Sequence, residues 1–511
     1  MTKHAQIWAA GGESCCAPQD TLVAYWGALG AGADGLAITL QLTADGIPVC
    51  FGGATLAQSC GDPRSVAEVT WKDLRRLDAG TMFRSTEIDE RNQPKGTGDD
   101  TPWEGVKSKQ TPLYHPRLSE VLLLFGRRTG LVLMFPPTND RLKALVQATC
   151  REVDRFGLAG HCVFAGDEAG LKLVKMHLPA SAIAYVAPAK ASAAEIAKAA
   201  KRIGADNVVV DAQRLVTQKG ALAAGVASAF GKTAHVLVSS SLAPTPDCHA
   251  ALRDQPWLVG FIGRAVDPIV AMERKPHLIV AERFAGATPD FDLWAMGYSR
   301  ISQDTTIRQD DGVVIEIKSG GQYSGAAAVT NFPIRGDFDA RIQFEVASPH
   351  QGTTFELACV HIDPGFPHLD NTKLDSRAVH LTFDVHGAAP YASSERDEDD
   401  GFRIGWNNGP AVTEFVQHSA QSSNIYNKYS RDVGDATASN PKGQLRLLRR
   451  GAVFNSYYTD KHNRGWVLSG TALVPTLCQD VFLRLGGKHW PKQGKTPPPN
   501  RIKFTDFRLF Q

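Results

Sequence analysis

Five carboxylates crowd into six positions of the stretch YASSERDEDDGFRIGWNNGP: Glu395, Asp397, Glu398, Asp399 and Asp400. Oxygen-rich loops suit Ca²⁺, which makes Glu395, Asp397 and Asp399 candidate metal ligands. The spacing matches no standard calcium loop, and the competing reading is a solvated charged turn. Paired carboxylates also carry glycoside hydrolysis, with Glu395, Asp397, Glu414 and Asp384 as candidates whose separation would set its stereochemistry. Trp406, Asn407 and Asn408 follow directly. An aromatic face stacks on sugar C–H groups while amides bond hydroxyls, although a Trp in a strand is more often core. A second set holds Tyr457, Tyr458, Lys461, His462, Trp466, Lys488, His489 and Trp490, and a third Asn424, Tyr426, Asn427 and Tyr429. On one concave face these would form a groove for a glycan or another polar molecule. Alternating in and out along strands, they would be mixed core and surface. Trp406, Asn408, Tyr426, Tyr458, His489 and Trp490 are the candidate ligand-binding residues.

The elements that must position these groups fall into two textures. From Ile7 to Ile262, strand and helix patterns alternate. Strands are expected at Ile7–Ala10, Ala33–Leu42, Gly130–Phe135, His161–Ala165, Ala182–Val186, Asn207–Asp211, His235–Ser239 and Leu258–Ile262. Helices are expected between them, for example Thr21–Gly30, Asn139–Phe156, Leu171–His177 and an Ala-rich helix capped by Ser192. About eight β-α units imply a closed parallel barrel. The polar stretch Ser85–Gln110 reads as a long surface insertion, which could serve as a lid. After Lys275 helical periodicity disappears and short alternating strands follow, such as Phe338–Ala347, Thr354–Ile362, Ala378–Val385, Gln444–Arg450 and Asn500–Leu509. The expected architecture is therefore multidomain α/β plus all-β: a TIM-type (β/α)8 barrel over 1–277, with an insertion at about 85–110, then a jelly-roll β-sandwich over 278–511.

Function in such a barrel sits at the C-terminal ends of the strands. Those ends give Gly11, Gly12, Glu13, Thr39, Gln41, Gly52, Gly53, Pro136, Asp167, Glu168, Asp211, Gln213, Ser239 to Ser241, Arg264 and Asp267. Glu13, Asp167, Glu168 and Asp211 could form an acidic catalytic site, with Glu395 as a candidate in the second half. The bland alternative is that Asp and Glu here cap the following helices. Cys15, Cys16 and Cys50 could gather at the same pole, but without CxxC spacing they read as small buried thiols.

Gly32-Ala33-Asp34, Thr43, Asp45-Gly46, Pro48-Val49 and, upstream, Pro18-x-x-Thr21 together resemble the glycerophosphodiester phosphodiesterase family. TWKDLRRLDAGTMF, PRLSEVL and WLVGFIGRAVDP extend the likeness over roughly residues 5–275. The resemblance implies a metal-dependent phosphodiesterase barrel, yet the chemical positions differ. Ala37 stands where the family has a metal-binding Glu, Thr39 where it has an Asp, and Gly52 where it has a catalytic His. The other His and its Arg fall on Ala9 and Ala10, and a later Glu-x-Lys falls near Met134 and Pro136. Alanine, threonine and glycine can neither hold a divalent cation nor move protons as carboxylates and imidazoles do. GDFDARIQFEVA with IKFTDFRLF resembles the concanavalin-like lectin and glucanase sandwiches, a likeness of fold rather than of site.

Composition excludes some classes. A formal net charge of +2 gives no general attraction to nucleic acid or anionic membrane. No apolar run has membrane-spanning length. Nine cysteines, sparse and odd in number, favour reduced thiols. With no secretory leader read in MTKHAQIWAAGG, a cytoplasmic setting is expected. The leading expectation is a degenerate phosphodiesterase-like barrel acting as scaffold or binding domain, with the sandwich binding a carbohydrate or other polyol and Ca²⁺ its candidate cofactor. The alternatives are a hydrolase of a glycoside or phosphodiester at a different site, and a structural subunit of a larger assembly, the oligomeric state being open. Convergent acids in a groove would favour the enzyme, aromatics without acids the lectin, and a large exposed apolar patch the assembly.

Overall fold

The structure is a computed structural model of the chain. It describes residues 4–92, 94–96, 113–137, 140–217, 225, 235–240, 242–255, 257–298, 305–318, 324–348, 353–360, 391–397, 401–407, 421–422, 442–459, 465–474, 481–489 and 498–511. Most of the 85–110 insertion, and the strand expected at Ala378–Val385, lie outside them. The chain divides into two compact units, with the break between Lys275 and Pro276.

The first unit is a closed barrel of eight parallel strands: β1 (Gln6–Ala10), β2 (Gly35–Leu42), β3 (Gly130–Met134), β4 (Cys162–Gly166), β5 (Ala182–Val186), β6 (Asn207–Asp211), β7 (His235–Ser239) and β8 (Leu258–Gly263). β1 closes the ring by pairing with both β8 and β2. The Val, Ile and Ala content of these strands suits a sheet covered on its outer face by helices. Inside, each strand contributes one residue to a continuous packed cluster: Trp8, Ala37, Val132, Ala165, Ala184, Val209, Leu237 and Ile262. Trp8 is the large member of that cluster. Its indole lies over β2 and β3, where a Cβ on Gly35 would come 2.4 Å from the ring and one on Gly130 2.7 Å. Only residues without a side chain fit under it.

Local chemistry sets the barrel's connections. Thr21 caps helix Leu22–Ala31 by accepting from the Ala24 N–H at 3.2 Å, and Ser192 and Glu195 form a capping box on helix Ala193–Ile203. Asp34, last of the Gly-Ala-Asp triplet, accepts from the Ile7 N–H at 2.8 Å and from Arg274 at 3.2 Å, which ties β1 to the turn before β2. After β2 the chain turns at Thr43–Gly46 and folds back as the antiparallel strand Pro48–Cys50. That return delivers residues 51–59 to the C-terminal end of the barrel.

The second unit is two antiparallel sheets. One runs in the order Thr305–Gln309, Val313–Ile317, Asn500–Phe510, Phe338–Ala347, Lys442–Arg450, Val453–Thr459, Val467–Leu473, with Leu278–Glu282 also paired to Asn500–Phe510. The other runs Trp294–Tyr298, Ser324–Thr330, Phe482–His489, Thr353–Val360, Tyr391–Asp397, Gly401–Asn407, Gln421–Ser422. Their inner faces meet through Phe344 on Phe355, ring centres 4.6 Å apart, and Trp294 on Phe507 at 5.0 Å. Tyr391–Asp397 and Gly401–Asn407 are paired antiparallel strands with Asp397 opposite Gly401, and the acidic residues 398–400 between them lie outside the described residues.

A buried charge network sits in the first of these sheets. Arg446 donates to both oxygens of Asp339 at 2.8 Å each, Arg341 reaches the same carboxylate at 2.6 Å, and the Arg446 guanidinium lies 4.9 Å from the Tyr457 ring centre. Burial alone would raise the Asp339 carboxyl, but the two guanidiniums hold it well below the usual carboxylate range. A carboxyl depressed in this way stabilises the fold at pH values above its unfolded pKa, and that contribution is lost as pH falls through the folded value. Asp339→Asn leaves Arg446 buried without its counter-charge, so the second unit should lose about 3–5 kcal/mol in urea denaturation at neutral pH. A loss below about 1 kcal/mol would show that water or another group compensates the arginine.

Candidate functional site

At the C-terminal end of the barrel strands lies a cavity of about 390 Å³. The loop after β1 brings Ser14, Gln19 and Asp20 to it, the β2 return brings Phe51 to Gly53 and Ser59, and the end of β8 brings Arg264. Ala79, Met82, Arg84 and His115 complete the relevant walls. This is the pole at which a β/α barrel carries its chemistry.

Asp20 is the hub. It is 2% exposed and takes a left-handed backbone conformation at φ 55°. Its N–H donates to Gly11 O at 2.9 Å, and its carbonyl faces His115 Nδ1 at 3.0 Å. Oδ2 accepts from the Gly52 N–H at 2.8 Å and Gln19 Nε2 at 3.3 Å, and Oδ1 from the Tyr25 hydroxyl at 3.3 Å. Burial pushes the carboxyl up to about 6, against the pull of these donors and of Arg264. His115 is 1% exposed; burial lowers its pKa to about 4, so it is neutral in the physiological range. Its Nε2 lies 3.0 Å from Ser59 Oγ.

The acids singled out at strand ends go elsewhere. Glu13 is buried at 1% exposure and does not line the cavity. Asp167 caps helix Glu168–His177 by accepting from the Gly170 N–H at 2.8 Å, and Glu168 pairs with Arg202 and Lys172. Asp211 is exposed at the end of β6 and is not a cavity residue. Gly52, Gly53 and Arg264 are the strand-end positions that do line it. Cys15, Cys16 and Cys50 are all buried, and burial pushes the Cys15 thiol up to about 12, which keeps it protonated. Sequence reasoning passed over Ser59 and His115; the available signal was a histidine three residues before helix Leu118–Phe125.

In the second unit Tyr458 is fully buried. Glu395, Asp397, Trp406 and His489 lie on described strands, and register sets Glu395 opposite Glu356 and Asp397 opposite Thr354. Glu356 is 2% exposed and ion-paired to Arg484, with Lys488 Nζ 3.5 Å from its other oxygen. Asn408, Tyr426, Trp490, Asp399, Glu414 and Asp384 lie outside the described residues.

The first unit is thus a closed parallel β/α barrel with a polar cavity at this pole. Residues 12–143 match the model of the Glycerophosphoryl diester phosphodiesterase family, and residues 282–486 that of the Protein of unknown function (DUF1583) C domain. The first unit is accordingly a glycerophosphodiester phosphodiesterase-like domain. No curated protein matches the chain. Among solved structures, a Silicibacter pomeroyi protein is 19% identical with a TM-score of 0.43, covering 54% of this chain and 95% of its own. An Oleispira antarctica phosphodiesterase is 18% identical, TM-score 0.40, covering 53% and 96%. A Thermotoga maritima glycerophosphodiester phosphodiesterase is 15% identical, TM-score 0.40, covering 53% and 100%.

Such a family implies a divalent cation, and the donor set here does not fit one. Among the described residues lining the cavity, Asp20 is the one carboxylate, and Gly52, Gln19 and Tyr25 already occupy its oxygens. Hard divalent cations take six or more oxygens, with at least one or two carboxylates supplied by the protein. No group of three His, Cys, Asp or Glu suited to a metal occurs among the described residues.

The raised Asp20 pKa fixes a sign. Between its unfolded value of 3.8 and about 6, the folded state binds the proton more tightly, so rising pH removes stability across that window. The gap corresponds to on the order of 3 kcal/mol. Asp20→Asn should therefore gain roughly 2–3 kcal/mol relative to the unmodified chain between pH 4 and pH 7.5 in paired denaturation curves. A constant difference across that range would place the Asp20 carboxyl at an ordinary pKa.

Proposed function

We propose that the barrel has lost metal-dependent phosphodiester hydrolysis and serves as a binding domain for a small polar ligand, and that the second unit binds a carbohydrate or related polyol. The observation carrying this is the chemistry of the cavity: one fully engaged carboxylate, two arginines and two glutamines, above an interior in which the strands present Ala37 and Val132. Ser14 and Ser59 add hydroxyls, not a second acid. These groups recognise hydroxyls and partial negative charge without activating water through a cation. For the second unit the support is the polar register around Glu356, Arg484 and Lys488 beside the strands carrying Glu395 and Trp406. The two functional domains are taken as 1–277 and 278–511, with Ca²⁺ proposed to sit near Glu395, Asp397 and Asp399.

Thermal unfolding with glycans, glycerol phosphates, glycerophosphodiesters and Ca²⁺ tests the leading reading, with phosphodiester hydrolysis followed in the same samples. A ligand at 100 times its Kd should stabilise its unit by about 2.7 kcal/mol. Arg264→Ala should remove stabilisation by ligands of the barrel and leave that by glycans unchanged. Hydrolysis of a glycerophosphodiester that a chelator stops and Mg²⁺ or Ca²⁺ restores would overturn the loss of phosphodiesterase chemistry.

A further inference from the structure

We propose that Ser59 and His115 form a nucleophile–base pair at the barrel cavity, able to cleave a small carboxylic ester through an acyl-serine intermediate. This goes beyond ligand binding and rests on the cavity being the ligand site.

The geometry fixes the direction of each hydrogen bond. His115 Nδ1 faces the Asp20 carbonyl oxygen at 3.0 Å. A carbonyl only accepts, so Nδ1 carries the ring proton and Nε2 is left as a lone pair. Ser59 Oγ stands 3.0 Å from that lone pair and donates to it. The alternative acceptors, Leu56 O at 3.4 Å and Cys60 Sγ at 3.5 Å, are more distant. A hydroxyl donating to an imidazole whose far nitrogen is oriented by a third group is the arrangement that activates a serine. Here the third group is a neutral carbonyl rather than a carboxylate, which stabilises the imidazolium less and makes the pair a slow one.

Both partners are held in place. Ser59 O accepts from the Met82 N–H at 3.0 Å, and Pro116 O accepts from the Cys50 N–H at 2.9 Å. The Phe51 ring packs edge-on against the imidazole at 4.7 Å. Ser59 remains partly exposed and lines the cavity. Phe51, Ala79 and Met82 give that part of the cavity an apolar wall, suited to a short acyl chain. A neutral ester avoids the repulsion that the Asp20 carboxylate would impose on a phosphodiester anion.

In the proposed step Ser59 Oγ bonds to the ester carbonyl carbon as its proton passes to His115 Nε2. The bond from that carbon to the alkoxy oxygen breaks, and the leaving alcohol takes the proton. Water then adds to the acyl-serine by the same transfer, releasing the carboxylic acid and restoring Ser59.

The test treats the full chain at pH 8 with an alkyl fluorophosphonate and, separately, with p-nitrophenyl acetate. The expected result is one phosphonyl adduct, mapped to Ser59 by tandem mass spectrometry, and release of p-nitrophenol. Ser59→Ala should lose the adduct and at least tenfold of the ester hydrolysis while melting at the same temperature. His115→Asn, where it melts like the unmodified chain, should lower the labelling rate by about 10²-fold or more; the Ser59→Ala comparison stands whether or not that variant folds. Absence of labelling at Ser59, or equal hydrolysis by Ser59→Ala, overturns the proposal even when ligands still stabilise the barrel. Labelling at Ser59 without stabilisation by any ligand of the panel sustains it and overturns the binding role instead.

Discussion

Asp20 holds the top of the barrel together. Its backbone N–H is tied to Gly11, its carbonyl to His115, and its carboxylate to Gly52, Gln19 and Tyr25. Three separate segments, the β1 loop, the β2 return and the residues before Pro116, thus converge on one residue. A buried carboxylate is tolerated only when its lone pairs are met by donors, and the cavity walls are arranged to meet them. The left-handed backbone at Asp20 is part of the same arrangement: it turns the carbonyl toward His115 and the carboxylate toward Gly52. An aspartate or asparagine adopts that conformation more readily than most residues with a Cβ.

The distribution of polarity within the barrel follows from this. The cluster through the strands is apolar, from Trp8 round to Ile262. The groups able to do chemistry come from the connections between strands: Gln19 and Asp20 after β1, Ser59 on the short helix Ala57–Cys60 after the β2 return, His115 before a helix, and Arg264 after β8. In a barrel with strand-borne carboxylates the sheet itself sets the geometry of the reacting groups. Here loop-to-loop hydrogen bonds set it, so precision depends on short backbone ties such as Met82 to Ser59 and Cys50 to Pro116.

Much of the fold was legible in the sequence. The strands at Ala182–Val186, Asn207–Asp211, His235–Ser239 and Phe338–Ala347 have the expected bounds, because apolar β-branched runs between turn residues leave little alternative. Thr21 and Ser192 cap their helices as their side chains predict. The helix expected at Leu171 begins at Glu168, one turn earlier, because Asp167 takes the cap. Tyr391–Asp397 is not among the strands expected because YASSERD has no apolar alternation; pairing on both sides, with Thr353–Val360 and with Gly401–Asn407, makes it a strand. The site was less legible than the fold. Ser59, Asp20 and His115 come from three separate stretches of chain, and only His115, just ahead of a helix, carries a local mark. Reading strand ends located Arg264 and Gly52, yet the acids found by the same rule went to helix caps and surface pairs, where local hydrogen bonding places them.

The indole of Trp8 over Gly35 and Gly130 also constrains how this sequence can drift. Either glycine gaining a methyl group would collide with the ring, so neither can change first. A smaller residue at position 8 must precede any change at 35 or 130, and that step alone would open a void under two bare strands. Positions 8 and 130 therefore travel through divergence together. In related chains a lost tryptophan here should be accompanied by a side chain at position 130, while position 35 stays bare because a Cβ there would also come 2.9 Å from the Gly130 carbonyl oxygen, a covariation that would mark descent through this barrel even where every residue of the cavity has changed.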